Sequence, residues 1–227
     1  RFADEVVAHL TGKPGLAGTR IAFSSGKSGQ KEVYIIDFDG HNIKKLTNDL
    51  SLDISPAWGP SGQRIVFTSY VNNNPDMVMV DLSRKKRWVV LKLPGLNAAP
   101  AWSPDGSNIA LVLSKDGNSE IYILNKNSKL RRLTNDYNID TSPTWSPDAK
   151  KIAFTSDRSG TAEPQIFIMN ATGDGGKAKR ISFGSSYNDN PAWSPNGDEI
   201  AYASRVNRKF QIKIYNVETG ETRTLTS

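Results

Sequence analysis

Short apolar runs recur along the chain in a fixed relation to one motif. Four copies of Pro-x-Trp are present, and they end at Trp58, Trp102, Trp145 and Trp193. Seven residues after each Trp an apolar triplet begins: Ile65-Val66-Phe67, Ile109-Ala110-Leu111, Ile152-Ala153-Phe154 and Ile200-Ala201-Tyr202. A fifth triplet, Ile21-Ala22-Phe23, has no Pro-x-Trp before it. Such self-similarity is typical of a repeat fold, in which each copy forms one structural unit.

Each unit continues with two further strand-like segments. The first is an alternating run that ends in Asp or Asn and is followed by a turn. These runs are residues 33–37, 77–81, 121–125, 166–170 and 212–216. A polar–apolar strand then closes each unit near Leu46, Leu91, Leu133, Ile181 and Leu225. Four short strands per unit predict the blade of a β-propeller, so the fold class is all-β. The predicted blades cover residues 18–50, 51–94, 95–137, 138–185 and 186–227.

The segment before the first blade has a different periodicity. Phe2, Val6 and Leu10 recur with helical spacing, and Gly12 and Gly15 then flank a proline. We therefore expect residues 1–17 to form a short helix and linker, the end of a truncated N-terminal domain. The first unit lacks its Trp segment and the last unit ends before another one. The ring is thus expected to be incomplete, with an open edge that favours self-association.

Charge and composition narrow the classes of partner. The net charge is +6, but 23 acidic residues are interspersed among 29 basic ones. The densest basic run, residues 84–87, is short enough for a solvated turn, so we expect no nucleic-acid partner. No apolar stretch approaches the ~20 residues that span a bilayer, and no membrane insertion is expected. The absence of cysteine excludes disulfides and thiolate catalysis.

Motifs that would carry catalysis are absent or incomplete, so no enzymatic activity and no catalytic residue are predicted. Only His9 and His41 could serve as an imidazole base, and no Gly-x-Ser-x-Gly elbow is present. The run Ser25-Gly26-Lys27-Ser28 resembles the end of a phosphate-binding loop but lacks the earlier glycine, which favours a hairpin. The run Asp37-Phe38-Asp39-Gly40 lacks the later ligands of a calcium loop and indicates a strand end and turn.

One set of polar residues precedes the Pro-x-Trp motif in every copy. Its members all carry a side-chain oxygen and are Asp53, Asn97, Asp140 and Asn188. In a propeller they would ring one mouth of the central channel, where they could accept an inserted peptide's backbone donors or weakly hold Ca²⁺. Alternatively they stabilise turns. The four Trp side chains are interpreted as wedges between blades rather than as a sugar-stacking ladder.

These features resemble the TolB family, the periplasmic propeller proteins of the Gram-negative Tol–Pal system. The segment RFADEVVAHLTG leads through Gly18-Thr19-Arg20-Ile21-Ala22-Phe23 into the first blade, and serial LTND and PAWSPDG segments follow. The resemblance runs over the whole chain and implies a six-bladed propeller behind a small α/β domain, with about five blades present here. It also implies a non-enzymatic periplasmic protein that supports outer-membrane integrity, cell division and colicin import.

The resemblance also implies partners. The family's propeller binds the peptidoglycan-associated lipoprotein Pal at one channel mouth, and the N-terminal domain binds TolA. Taken with the equivalent positions of the other blades, the expected partner-binding residues are Asp53, Leu96, Asn97, Ala99, Asp140, Thr141, Asn188 and Asp189. Two other functions stay open: an accessory propeller that gates access to a serine peptidase, and a carbohydrate-binding propeller.

Overall fold

A computed structural model of the chain describes residues 2–12, 15–27, 29–160, 163–173 and 177–226. Helix α1 (Phe2–Thr11) ends at Gly12, whose φ of 67° allows its backbone amide to donate to the Ala8 carbonyl at 2.9 Å. The carboxylate of Asp4 accepts the backbone amides of Ala17 and Gly18, each at 2.7 Å, and ties the helix to the linker. Within these residues no helix is both long and apolar enough to cross a membrane.

The strands of the described residues form five antiparallel sheets in chain order, one of three strands and four of four. The prediction of an all-β propeller with a short N-terminal helix is confirmed. The strands are β1 (Arg20–Ser25), β2 (Glu32–Asp37), β3 (Lys44–Lys45), β4 (Asp53–Trp58), β5 (Arg64–Ser69), β6 (Asp76–Asp81), β7 (Lys86–Leu91), β8 (Asn97–Trp102), β9 (Asn108–Leu113), β10 (Glu120–Asn125), β11 (Leu130–Arg132), β12 (Asp140–Trp145), β13 (Lys151–Ser156), β14 (Gln165–Asn170), β15 (Lys179–Arg180), β16 (Asn188–Trp193), β17 (Glu199–Val206), β18 (Lys209–Asn216) and β19 (Thr222–Thr224).

The Pro-x-Trp segments form one edge strand of each four-stranded blade, namely β4, β8, β12 and β16. We call these the Trp strands. Successive Trp strands contact one another, which places them at the centre of the ring. The first blade, β1–β2–β3, contains no Trp strand, as its sequence predicts.

Every Trp strand carries a bulge directly before its proline. In β4 the pairing with β5 shifts between Ile54 and Ala57, and the same shift recurs in β8, β12 and β16. The residue before each proline has a left-handed backbone although it is not glycine: Ser55 (φ 54°), Ala99 (48°), Ser142 (51°) and Asn190 (55°). One residue in each inner strand is therefore held outside the regular ladder.

The apolar core lies between neighbouring sheets, and each motif Trp packs against the preceding blade. Trp145 is only 8% exposed and belongs to a cluster with Ala110 and Val112 of the blade before it. Its indole Nε1 donates to the Ala101 carbonyl of the preceding Trp strand at 3.0 Å. The half-buried Trp102 and Trp193 pack on the preceding blades in the same way. The interpretation of these residues as wedges between blades is confirmed.

Candidate functional site at the channel mouth

Strand direction determines which residues surround one mouth of the channel. Asp53 begins the Trp strand β4 and pairs with Ser69 at the end of β5, which in turn pairs with Asp76 at the start of β6. The hairpin between second and third strands therefore lies at the same end of the blade as the connection into the next Trp strand. We call this end the mouth face. Its interblade connections are residues 46–52, 92–96, 133–139 and 181–187.

The four Asp and Asn residues that begin the Trp strands lie at this face but are fully buried. Asn97 accepts the Leu93 amide at 3.1 Å and donates to the carbonyls of Leu93 (2.7 Å) and Gly95 (3.1 Å), which closes the preceding connection. Asn188 donates to Gln165 Oε1 at 2.8 Å. Because these side chains are enclosed, they position the loops of the mouth rather than presenting their own oxygens to solvent.

The two acids of this set are enclosed in the same way. The Arg158 guanidinium contacts the Asp140 carboxylate at 2.5 Å, while the other Asp140 oxygen has no partner. Burial raises the pKa of Asp140 to about 6, against the opposing effects of the Ser156 hydroxyl and Arg158. Asp53 lies within 4.8 Å of Glu32 and Asp49, the one group of three acidic, His or Cys ligands found among the described residues. The acids thus gather in a junction between blades and not around the channel.

The other predicted site residues are partly exposed. Leu96 and Ala99 also pack against the core between the third and fourth blades. Thr141 pairs with Thr155 across β12 and β13. Asp189 accepts the Thr155 hydroxyl at 2.8 Å and the Ser142 hydroxyl at 3.2 Å, so it joins the fourth blade to the fifth. Of the eight predicted residues, these four are the ones with surface at the mouth.

A group of exposed apolar residues on the mouth face was missed by the sequence reasoning. Leu50, Tyr137, Ile139, Phe183 and Phe210 are all more than half exposed. We call them the apolar rim. Leu50 and Tyr137 both follow an LTND segment, so the repeat offered a signal for two of the five. Isolated apolar residues are common on surfaces, but five on the connections and hairpins of one face make that face a candidate contact surface.

The rim is braced by its neighbours. Phe210 lies at the tip of the β17–β18 hairpin and meets Tyr187 edge to face, with ring centroids 5.6 Å apart. The guanidinium of Arg180 lies 4.8 Å from the centre of the Phe183 ring. Aromatic side chains held by such contacts lose little conformational entropy when a partner binds, and they are favoured as anchors of protein interfaces.

His41 and the calcium-loop-like run lie away from this face, whereas the phosphate-loop-like run begins the β1–β2 hairpin on the mouth face. His41 is in the β2–β3 turn at the opposite end of its blade, exposed, with Nδ1 3.3 Å from Asp39. The Gly40 amide donates to the Asp37 carbonyl at 2.9 Å, as expected for a strand end and turn. The phosphate-loop-like run begins at the end of β1, and its Ser28 lies outside the described residues. The basic run 84–87 lies in and beside the exposed β6–β7 turn.

Known proteins of similar sequence and structure share this propeller. The Tol-Pal system protein TolB of Desulfosudis oleivorans is 48% identical over 58 residues, which are 26% of this chain and 13% of that protein. The crystal structure of TolB from Acinetobacter baumannii superposes with a TM-score of 0.88 at 33% identity, covering 99% of this chain and 57% of that one. A putative TolB from Agrobacterium tumefaciens gives a TM-score of 0.75 at 20% identity, covering 91% and 80% of the two chains.

More distant propellers share the fold alone. Oligogalacturonate lyase (TM-score 0.65, covering 92% of this chain and 62% of its own) and puromycin hydrolase (0.67, covering 87% and 33%) are 16% and 13% identical. In contrast, the family model described as the TolB beta propeller domain, PD40, matches residues 7–227. The chain spans little more than half of the Acinetobacter structure, and the propeller is the part they share. This chain belongs to the TolB β-propeller family.

Proposed function

We propose that the chain is a non-enzymatic protein-binding module of the Tol–Pal system that docks a Pal-type lipoprotein at its mouth face. The observation that carries the proposal is the apolar rim, five exposed side chains on the interblade connections and one hairpin tip of the mouth face. A protein partner with complementary apolar groups could cover this surface, whereas a small sugar or metabolite would leave most of it in water. The proposed contact needs no cofactor or metal.

The geometry supports a division of labour at the mouth. The rim supplies apolar anchors, and the half-exposed Thr141 and Asp189 supply polar groups close to the channel. Behind them, the buried Asn97 and Asn188 fix the connections on which the rim stands. A surface built in this way changes little when the partner binds, so less of the contact energy is lost to ordering the loops.

The wider setting follows from the family. Several relatives, among them those of Desulfosudis oleivorans and Geobacter sulfurreducens, carry the name Tol-Pal system protein TolB, and we propose a periplasmic location for this chain on that ground. Roles in outer-membrane integrity, cell division and colicin import would then depend on Pal docking. TolA would bind through an N-terminal domain. No described feature favours the peptidase-gating or carbohydrate-binding alternative, since the puromycin hydrolase and oligogalacturonate lyase structures share only the fold.

The substitution Thr141→Arg tests the docking surface. Thr141 lies on a Trp strand beside the channel and makes no core contact, so a bulky cation there should obstruct the partner without unfolding the blade. We expect the affinity for a purified Pal domain to fall at least ~10-fold in isothermal titration calorimetry, corresponding to ~1–2 kcal/mol. Tyr137→Ala should weaken binding similarly by removing a rim anchor.

The matched control is Lys126→Ala in the β10–β11 turn, on the opposite face. It should bind Pal like the unmodified chain, and circular dichroism melting should show that all three variants are folded. Unchanged affinity in both Thr141→Arg and Tyr137→Ala would remove the mouth face as the docking site. Loss of affinity in Lys126→Ala alone would place the contact on the opposite face.

A further inference from the structure

A buried polar arrangement recurs at the junctions between blades. In each case a hydroxyl from the interblade connection accepts a backbone amide from a strand of the preceding blade. These strands are β2, β10 and β14, which hold equivalent positions in their blades. Thr47 accepts Val33 at 3.0 Å, Thr134 accepts Ile121 at 2.9 Å, and Ser182 accepts Ile166 at 2.8 Å. Two further side chains complete each junction. One begins the strand β2, β10 or β14, and the other begins the next Trp strand. These pairs are Glu32 with Asp53, Glu120 with Asp140, and Gln165 with Asn188.

The junction built from two amides shows how the arrangement is satisfied. Gln165 Oε1 accepts the Ser182 hydroxyl and the Asn188 amide, both at 2.8 Å. The hydrogen-bond donor that joins the two blades is therefore the side chain of the Trp strand. In the first junction an ionised Asp53 could not play this part, because a carboxylate only accepts. Both Asp53 oxygens are buried and have no hydrogen-bond partner.

The charges around Asp53 define what is missing. One carboxylate oxygen each from Glu32 on β2, Asp49 in the connection and Asp53 on β4 lie within 4.8 Å of one another. Lys45 on β3 is 3.3 Å from Glu32, and Arg87 on β7 is 2.6 Å from Asp49. Three acids facing two cations leave one negative charge, and Asp53 is the acid without an ion pair. An unpaired buried charge is costly, so a protein neutralises it.

The charge count decides between a proton and a divalent cation. One proton brings the five groups to zero, whereas Ca²⁺ would leave one positive charge and would compete with Lys45 and Arg87 for the same oxygens. A proton on Asp53 also restores a donor at the position where Asn188 donates in its own junction. We infer that Asp53 is a proton-binding site, held as a neutral carboxylic acid whose O–H is directed to the neighbouring carboxylates of Glu32 and Asp49.

The electrostatics of the neighbouring groups agree with this assignment. Burial raises the pKa of Asp53, and the hydroxyls of Ser69 and Thr47 offset this only in part. Burial also disfavours ionised Asp49, but the hydrogen bond and charge of Arg87 overcome that effect and hold its pKa below the ordinary value. Of these two neighbouring acids, the proton thus belongs on Asp53.

The site connects proton binding to the mouth face. Glu32 accepts the Thr47 hydroxyl at 2.6 Å and the Leu50 backbone amide at 3.3 Å, so it holds the connection that carries a residue of the apolar rim. When Asp53 loses its proton, the like charges of Glu32, Asp49 and Asp53 repel one another within the junction. The first and second blades are then expected to separate more easily as pH rises. This inference does not depend on the proposed function.

The test compares the chain with Asp53→Asn, which introduces the residue that blades three and five carry at this position. Urea unfolding is measured across about pH 4 to 8, a range in which an ordinary Asp passes from about half ionised to fully ionised. Because the folded form holds the proton more tightly, the unfolding constant of the unmodified chain should rise with pH relative to that of the variant. The rise should be about tenfold for each unit by which the pKa of Asp53 is raised.

Asp105→Asn is the matched control, since hydrogen bonds from Ser103 and Ser107 lower the pKa of Asp105 to about 2. The ratio of its unfolding constant to that of the unmodified chain should not change with pH over the same range. A flat ratio for Asp53→Asn as well would overturn the inference. So would stabilisation of the unmodified chain by millimolar Ca²⁺ that Asp53→Asn abolishes, because the cluster would then be a cation site. Carboxyl ¹³C shifts that show Asp53 ionised throughout would also refute it.

Discussion

Replacing Trp145 with alanine tests the packing that joins one blade to the next. An aromatic side chain buries 150–250 Å², worth ~4–6 kcal/mol at ~25 cal/mol per Å². Alanine retains part of that contact, and the surrounding side chains relax into part of the cavity, so Trp→Ala in a core costs ~3–5 kcal/mol. The indole bond to the Ala101 carbonyl adds ~1 kcal/mol. We expect a loss of ~4–6 kcal/mol in the free energy of unfolding.

The assay is urea unfolding followed by far-ultraviolet circular dichroism, which does not depend on the fluorescence of the substituted residue. The control is Trp88→Ala on the outermost strand β7, where the indole is 40% exposed and should contribute less than ~1.5 kcal/mol. A loss below ~1 kcal/mol for Trp145→Ala would mean that its ring does not fill the space between blades. The sugar-stacking interpretation of the motif would then regain support.

Two further predictions concern the inner strands. Burial raises the pKa of Asp140 to about 6, so the folded protein favours the protonated form and the free energy of unfolding should fall by ~3 kcal/mol between about pH 4 and 6. Asp140→Asn should remove this fall in urea unfolding at matched pH. If the fall is unchanged in the variant, it arises from other groups. Ala99→Gly should stabilise the chain by ~0.5–1 kcal/mol in thermal unfolding, because a φ of 48° strains alanine but not glycine. Ala98→Gly beside it should destabilise the chain. If both variants changed the stability in the same direction, the backbone of Ala99 would not be strained.

The blade architecture could be predicted because it depends only on spacing. A constant offset from Trp58 to Ile65 and its repeats specifies a short turn between two strands, and four strands per unit fill a blade. Spacing could not predict which face of the Trp strand carries each residue that precedes the proline. Alternation assigns the two faces of a strand only while its register is unbroken, and the bulge at Ser55 breaks it.

The interior of the junctions was also beyond the sequence. Asp53 and Asn97 share a position relative to the motif, and both were placed on the rim of the channel with equal reason. The burial of Asp53 depends on contacts from the preceding blade, such as the Lys31 carbonyl that accepts its backbone amide at 2.8 Å and the Glu32 carboxylate beside it. Those contacts join residues that no local pattern relates. The apolar rim was missed for a different reason, since single exposed apolar residues in loops carry no periodicity.

The bulge before each proline has a consequence for how this protein can diversify. The displaced residue is Ser55, Ala99, Ser142 or Asn190, so the same bulge accommodates three different residue types in four blades. Neighbouring ladder bonds and the Trp behind it stay the same whichever residue occupies the position. The residue at the bulge can therefore be substituted in one blade at a time during evolution. Such substitutions could change what the inner strands recognise while the strand pairing of the blade stays the same.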